Sequence, residues 1–329
     1  MKQRKAPPSP SRRAKPVLPS LNAAIQGGRT AARDVLAFRA QHRQAGLRAM
    51  KARATRATPA VEALRIPTRT RTMLAARASA GVVIAEGDSW FDYPLHDVLR
   101  LLEDDHAFDV ESVAHKGDCV EDMAHAPGQF EEFARRLEKL LRDGKVPRAI
   151  LLSGGGNDIV GDEFAILLNH ATSSLPTLNE DIVRGVIDVR LRAAYARLIS
   201  GTTEIARSYL GRPIPIITHG YDYPVPDGRG FLGGWWVLPG PWLEPGFHRK
   251  GYLDQAQNTT LVGGLIDRFN VMLGSLCDHP QFAHVHYLDL RGTLRRDSQY
   301  RKDWGNELHP TAHGFELVTN KFADCLRAL

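Results

Sequence analysis

Residues 82–91 read Val-Val-Ile-Ala-Glu-Gly-Asp-Ser-Trp-Phe, and this stretch decides the fold. Its run of β-branched residues, which stops before Gly87, is typical of a buried strand, and a turn that carries Ser89 follows. Apolar residues then recur at the i, i+3, i+4 and i+7 spacing of a helix, at Leu95, Val98, Leu99 and Leu102. The stretch therefore predicts a strand, a tight turn and a helix.

A serine on such a turn stands at the carboxyl end of a central strand, where open α/β sheets bind ligands. Its own N–H would lie near the amino end of a helix, where negative charge is favoured. Ser89 could therefore serve as a nucleophile and as an oxyanion donor together. The alternative is ordinary turn chemistry, in which Gly87 supplies backbone freedom while Asp88 and Ser89 cap the turn locally.

Strands alternate with helices through the rest of the chain, which indicates a parallel sheet covered on both faces. We predict a three-layer, doubly wound α/β fold with five parallel strands. The further strands are predicted at Phe108–Val113, Ala149–Leu152, Ile214–Thr218 and Val285–Leu290, and helices at Cys119–Leu141, Phe164–Leu168, Ile182–Leu210 and Ala312–Leu326.

Charge divides the chain into two parts. Residues 1–80 hold 18 Lys and Arg against two acids, whereas the remainder is net negative. We predict a basic extension over residues 1–78, mobile over its proline-rich first 20 residues and helical from 21 to about 56, and a catalytic domain over 79–329. The basic arm, residues 1–56, could bind nucleic acid or an anionic membrane surface, or could be a solvated or targeting extension.

Composition limits the class of protein. The 329 residues are 43% hydrophobic, which is enough for a sizeable core, and no 18-residue apolar run or signal-peptide segment occurs. We therefore expect no membrane span and, by default, a cytoplasmic protein. Three widely spaced cysteines can form neither a disulfide framework nor a CxxC metal site: Cys119, Cys277 and Cys325.

One segment fits neither a helix nor a strand. Pro224–Lys250 is rich in glycine, proline and aromatic residues, including Trp235, Trp236 and Trp242. We expect an ordered loop at the edge of the sheet. It could form an apolar wall or lid for a substrate, or it could be a packed surface loop.

Acyl transfer needs a nucleophile, a base and donors for the oxyanion, and each has a candidate. Ser89, Gly117 and Asn157 follow successive predicted strands, and His309 precedes the last helix. Gly117 could bring its N–H close to a bound oxygen, and the three glycines before Asn157 could let its amide reach the same point. We expect these four residues to converge on one rim of the sheet.

In this order, Gly87-Asp88-Ser89, Gly117, Gly156-Asn157-Asp158 and His309-Pro310 resemble the four conserved blocks of the SGNH (GDSL-type) hydrolases. The resemblance covers roughly residues 80–329. It implies a flavodoxin-like fold and an esterase or lipase with serine as nucleophile and histidine as base. It also implies an oxyanion hole formed by the Ser89 N–H, the Gly117 N–H and the Asn157 amide.

The chain departs from that family at Asn306, where the usual pattern has an aspartate three residues before the histidine. An amide can orient the imidazole, but it cannot balance the charge of an imidazolium. Asn306 or a backbone carbonyl could orient His309, or Asp303 or Glu307 could swing in. We expect a working Ser–His pair and a modest enzyme.

Missing motifs disfavour other classes. The chain has no Gly-x-Ser-x-Gly elbow, and its triple glycine matches neither a phosphate loop nor a dinucleotide fingerprint. His284 and His286 share a strand face, but no third ligand lies at short spacing, so we expect a structural role and neither metal nor cofactor. Three further histidines are interpreted as polar rim residues: His115, His219 and His313.

The leading hypothesis is a metal-independent serine hydrolase that cleaves small-molecule esters, with an acetyl, longer acyl or lipid substrate, through an acyl-enzyme on Ser89. The alternative is a catalytically weak or inactive protein of the same fold that binds nucleic acid or anionic membrane through its basic arm. The sequence leaves the natural ester and the oligomeric state open.

Overall fold

The computed structural model describes residues 20–56, 79–126, 128–231 and 239–329. The sheet in these ranges has five strands: β1 (Val82–Glu86), β2 (Asp109–Ser112), β3 (Ala149–Leu152), β4 (Ile216–His219) and β5 (Val285–Leu288). They pair in parallel in the order β2-β1-β3-β4-β5. This is the flavodoxin-like order of doubly wound sheets, and the predicted fold class is confirmed.

Helices cover both faces of the sheet. The α-helices of the described ranges are α1 (Leu21–Arg56), α2 (Val98–Asp104), α3 (Val120–His125), α4 (Gln129–Arg142), α5 (Glu180–Val183), α6 (Arg192–Leu210), α7 (Glu244–Arg249), α8 (Gln255–Cys277) and α9 (Ala312–Ala328). A π-helical segment, Arg184–Leu191, joins α5 to α6. Helix α2 packs against α9, whereas α1, α3 and α4 pack against α6.

The turn that carries Ser89 directly follows one of the buried central strands. All four residues of β3 are buried, as are the last four of β1, and apart from Glu86 these residues are apolar, as is typical of strands covered on both faces. Gly87 directly follows β1, and a Cβ there would lie 2.7 Å from Ser153 Cβ. The turn that carries Ser89 is therefore packed directly against the end of β3.

Three predicted helices differ from the observed ones, and one of them, predicted at Phe164–Leu168, is a 3-10 helix over Gly161–Leu167. Leu95 lies outside α2, is 72% exposed and has a φ of 76°; the helix starts at Val98, where Asp97 accepts a hydrogen bond from the Arg100 N–H at 2.8 Å. The predicted helix Cys119–Leu141 is two helices, α3 and α4. Ala126 is extended, as a residue before proline prefers, and Gly128 has a φ of 96°.

Helix α1 docks by its first half against α6. Ile25 and Ala32 are buried, and a Cβ at Gly28 would lie 2.1 Å from the Arg197 carbonyl oxygen, so only glycine permits this close approach. From residue 41 to 52 every residue of α1 is exposed. The division at residue 78 and an anionic partner for residues 1–56 stay predictions.

Two other expectations concern parts of the chain outside the helices and strands above. The first 19 of the 20 residues predicted as a mobile tail lie outside the described residues, as do Trp235 and Trp236. Across the described ranges, no helix combines the length and the hydrophobicity that crossing a bilayer requires.

Candidate active site

Ser89 and His309, which are far apart in the sequence, are in hydrogen-bond contact. The distance from Ser89 Oγ to His309 Nε2 is 2.7 Å, and both residues are largely buried. Trp90 holds the two segments together, because its indole N–H donates to the Leu308 carbonyl oxygen at 3.1 Å. The residue after Ser89 thus anchors the loop that carries His309.

Asn306 determines which nitrogen of His309 carries the proton. The backbone N–H groups of Leu308 and His309 both donate to Asn306 Oδ1 at 2.9 Å, so this atom must be the amide oxygen. His309 Nδ1 lies 3.0 Å from the same oxygen and must therefore be the protonated nitrogen. Nε2 therefore keeps a free lone pair, which accepts a hydrogen bond from the Ser89 hydroxyl.

Two aromatic side chains surround the imidazole of His309. The ring of Tyr93 stacks on it with centroids 4.3 Å apart, and Trp242 meets it in a T-shaped contact at 5.5 Å. The Asn306 side-chain N–H donates to the Tyr93 hydroxyl oxygen at 3.0 Å. Burial lowers the pKa of His309 to about 3, so the ring is neutral at physiological pH.

The other groups considered for orienting His309 have different partners. Asp303 is buried and accepts from the Arg295 N–H at 2.8 Å. Glu307 is fully buried and faces the aromatic loop, where four backbone N–H groups donate to its carboxylate. Asn306 is therefore the side chain that contacts His309 Nδ1.

Glu307 joins the histidine loop to the segment rich in aromatic residues. Its carboxylate accepts from the N–H groups of Trp242, Leu243 and Glu244, at the start of α7, and from the N–H of Gly228 earlier in the segment, at 2.6 to 3.0 Å. The described part of Pro224–Lys250 is thus an ordered wall, and it contains a short helix that the sequence did not predict. One carboxylate fixes both this wall and the loop that carries His309.

Glu307→Gln is expected to lower the free energy of unfolding by about 2–3 kcal/mol, because one end of the amide presents N–H where backbone N–H groups need an acceptor. Urea denaturation followed by tryptophan fluorescence measures this. Glu316→Gln is the matched control, since that exposed glutamate lies beside His313 on α9 and its loss should cost less than about 0.5 kcal/mol. Equal losses in the two variants would contradict a clamping role.

Of the three predicted oxyanion donors, Ser89 and Asn157 line one cavity, whereas Gly117 is not part of its lining. Asn157 lines the same cavity as Ser89 and His309, and its side-chain N–H donates to the Asp118 carbonyl oxygen at 3.0 Å. Gly117 is the residue before Asp118 in a turn and has a φ of 92°. In the described ranges neither the Ser89 N–H nor the Gly117 N–H donates to a protein acceptor. Among the described residues, no hydrogen bond joins Gly117 to Ser89.

The cavity beside Ser89 is largely apolar. Its walls come from the loop after β3, from the aromatic segment and from α8, and Phe269 of α8 packs so closely against Gly155 that a Cβ there would lie 2.7 Å from the ring. Apolar side chains that line it include Val160, Phe164, Leu243, Val262, Leu265 and Phe269. The reactive pair thus opens onto a surface suited to hydrocarbon.

A second serine–histidine contact lies beneath the turn that carries Ser89. Ser153 Oγ donates to Asp88 Oδ1 at 2.7 Å and lies 2.9 Å from His219 Nε2. Asp88 also accepts from the Trp90 N–H and the Tyr221 hydroxyl. Ser153 and His219 are both buried and do not line the cavity, so this network supports the turn. The prediction that His219 is a rim residue is wrong.

The remaining predicted polar residues have structural partners or lie at the surface. Asp158 accepts from the Val120 and Glu121 N–H groups at the start of α3. His284 lies 2.8 Å from Thr203 Oγ1, and His115 and His313 are exposed. Within the described ranges no group of three or more His, Cys, Asp or Glu side chains could hold a metal ion.

Comparisons with solved structures return proteins of the classes that the sequence motifs resemble. A lipase from a goat-rumen metagenome matches 74% of this chain and 96% of its own, at 15% identity and a TM-score of 0.44. A catalytic mutant of an acetylxylan esterase from Geobacillus stearothermophilus matches 75% and 94%, at 14% and 0.42. A protein assigned as an SGNH hydrolase from Slackia heliotrinireducens matches 75% and 98%, at 12% and 0.42.

No protein-family model and no curated protein matches the chain. At such low identities and TM-scores the structural likeness carries no argument about activity. The function is therefore inferred from the geometry of the site.

Proposed function

We propose that the protein is a serine hydrolase that cleaves carboxylic esters through an acyl-enzyme. The observation that supports this best is the 2.7 Å contact between Ser89 Oγ and His309 Nε2, with the tautomer of His309 set by Asn306. A hydroxyl becomes a useful nucleophile when an adjacent base removes its proton, and the base must itself be oriented by a third group. The three side chains meet these requirements.

In the proposed reaction Ser89 Oγ attacks the carbonyl carbon of the ester while its proton passes to His309 Nε2. The π electrons of the carbonyl move to its oxygen and form an oxyanion. The imidazolium then gives the proton on Nε2 to the alcohol oxygen, and the C–O bond breaks. Water attacks the acyl-enzyme by the same route, with His309 as its base.

The oxyanion would be held by the N–H groups of Ser89 and Gly117 and by the Asn157 amide. The two backbone groups have no other acceptor among the described residues, and the Asn157 amide has a second N–H beside the one bound to Asp118. Preorganised donors of this kind contribute about 3–4 kcal/mol each to acyl transfer. The apolar cavity suits the acyl group, and the alcohol would leave toward solvent.

A panel of p-nitrophenyl esters tests the proposal. We expect hydrolysis of the acetate and a rise in kcat/KM of about tenfold from acetate to butyrate, because each CH2 that enters the apolar cavity contributes about 0.8 kcal/mol. A succinate monoester of similar size is the control, since its carboxylate would be buried against hydrocarbon. Failure to cleave any ester would overturn the proposed function, and a preference for the succinate would overturn the assignment of the cavity.

A further inference from the structure

Tyr93 contacts both the proposed base and the amide that orients it. Its ring lies parallel to the His309 ring, with an interplanar angle of 21° and centroids 4.3 Å apart. Its hydroxyl oxygen accepts a hydrogen bond from Asn306 at 3.0 Å. We infer that Tyr93 positions Asn306 and stabilises the imidazolium form of His309, so that the two residues together take the place of a carboxylate. This inference rests on the proposed function.

The need for such a residue follows from the groups around His309. Proton transfer from Ser89 would create a positive charge in a buried site, and each nearby carboxylate is occupied elsewhere. Glu307 accepts from four backbone N–H groups, Asp303 from the Arg295 N–H, and Asp88 from Ser153 and Tyr221. Burial is the one cause that lowers the pKa of His309, with no contribution from a charged neighbour.

The tyrosine ring can supply part of the electrostatic stabilisation that a carboxylate would give to the imidazolium. The face of an aromatic ring carries negative potential and attracts a cation that lies parallel to it at van der Waals distance, most strongly where water is excluded. The hydroxyl has a separate effect, because it engages the Asn306 N–H and leaves the amide oxygen facing His309 Nδ1. Ring and hydroxyl therefore act on different atoms and can be tested separately.

The test compares Tyr93→Leu, which removes both ring and hydroxyl, with Tyr93→Phe, which keeps the ring. We expect kcat to fall by about 10- to 30-fold in Tyr93→Leu and by only about threefold in Tyr93→Phe, with KM little changed. In the Asn306→Asp background the loss from Tyr93→Leu should shrink to about threefold, because the new carboxylate then balances the imidazolium. If Tyr93→Leu acted by damaging the fold, it would reduce kcat by the same factor in the unmodified protein and in Asn306→Asp.

Phe231→Leu is the matched control. Phe231 meets the Tyr93 ring in a T-shaped contact, with centroids 5.7 Å apart, whereas the aromatic rings that contact His309 among the described residues are those of Tyr93 and Trp242. It should change kcat by less than about twofold. A loss as large as that of Tyr93→Leu would assign the effect to packing of the aromatic cluster.

A second readout needs no catalysis. In Asn306→Asp, the pKa of His309 can be measured by NMR titration, and adding Tyr93→Leu should lower it by about half a unit, which corresponds to the threefold effect expected on kcat, because the ring favours the protonated form. If esters are not cleaved but this shift is present, the proposed function fails and the stacking inference stands. An unchanged pKa, or equal losses of kcat in both backgrounds, would overturn the inference.

Discussion

Ser89→Ala is expected to lower kcat for p-nitrophenyl butyrate by about 10⁴- to 10⁶-fold, because Ser89 supplies the hydroxyl that contacts His309 Nε2. The residual rate would come from binding and from the oxyanion donors alone. A fluorophosphonate probe should add its mass to Ser89 in the unmodified protein and should fail to label the variant. Circular dichroism should be unchanged, since the hydroxyl contributes little to packing at the turn.

Ser153→Ala provides the matched control, because the Ser153 hydroxyl, like that of Ser89, lies within hydrogen-bond distance of a histidine ring nitrogen. Its hydroxyl is sealed beneath the turn, so the fluorophosphonate should still label Ser89 in this variant. Label on Ser153, or turnover that survives Ser89→Ala, would refute the assignment of the nucleophile. The two variants together distinguish the pair that lines the cavity, Ser89 and His309, from the buried pair, Ser153 and His219.

Asn306→Asp should raise the rate at neutral pH by about 10-fold or more and move the acid limb of kcat/KM upward by about 1–3 pH units. His309 acts as a base only when neutral, and burial holds its pKa near 3, so the unmodified protein should keep its activity until the pH falls toward that value. A carboxylate 3.0 Å from Nδ1 favours the imidazolium and raises this pKa. Activity of the variant is therefore lost earlier as pH falls.

The site is suited to receive that carboxylate. Two backbone N–H groups and His309 Nδ1 already donate to Asn306 Oδ1, and the Tyr93 hydroxyl can donate to the other oxygen. Asn306→Ala is the control, because it removes the tautomer selection and should cost about 10² to 10⁴ in kcat. A pH–rate profile that is identical in Asn306→Asp and the unmodified protein would show that Asn306 does not act on His309.

Much of the framework follows from local sequence patterns. Short apolar runs ending in glycine or polar residues predicted the strands, and β3 matches its predicted bounds at Ala149–Leu152. The contact between Ser89 and His309 follows from topology, because the carboxyl ends of parallel strands meet at one edge of the sheet. These features depend on neighbours in sequence or on the order of strands.

Features that depend on tertiary packing were missed. Helix α8 has two adjacent glycines and several β-branched or polar residues, which disfavour a helix in isolation; it forms because residues such as Leu265 and Phe269 are buried. Tyr93 lies near Ser89 in sequence, but its contacts with Asn306 arise only when the loop that carries His309 docks. Glu307 was considered as a partner of His309, and no local pattern shows that its carboxylate faces the aromatic segment.

The docking of α1 also determines how a charged partner would be detected. Arg33 pairs with Glu204, and Arg39 and Arg43 pair with the buried Glu138. Because the carboxylates of Glu204 and Glu138 already pair with these three guanidinium groups and offset part of their charge, the three groups would release fewer counterions on contact with a polyanion. The ionic-strength dependence of any such association would therefore reflect mainly the other cations of the arm, which are fewer than its formal charge suggests.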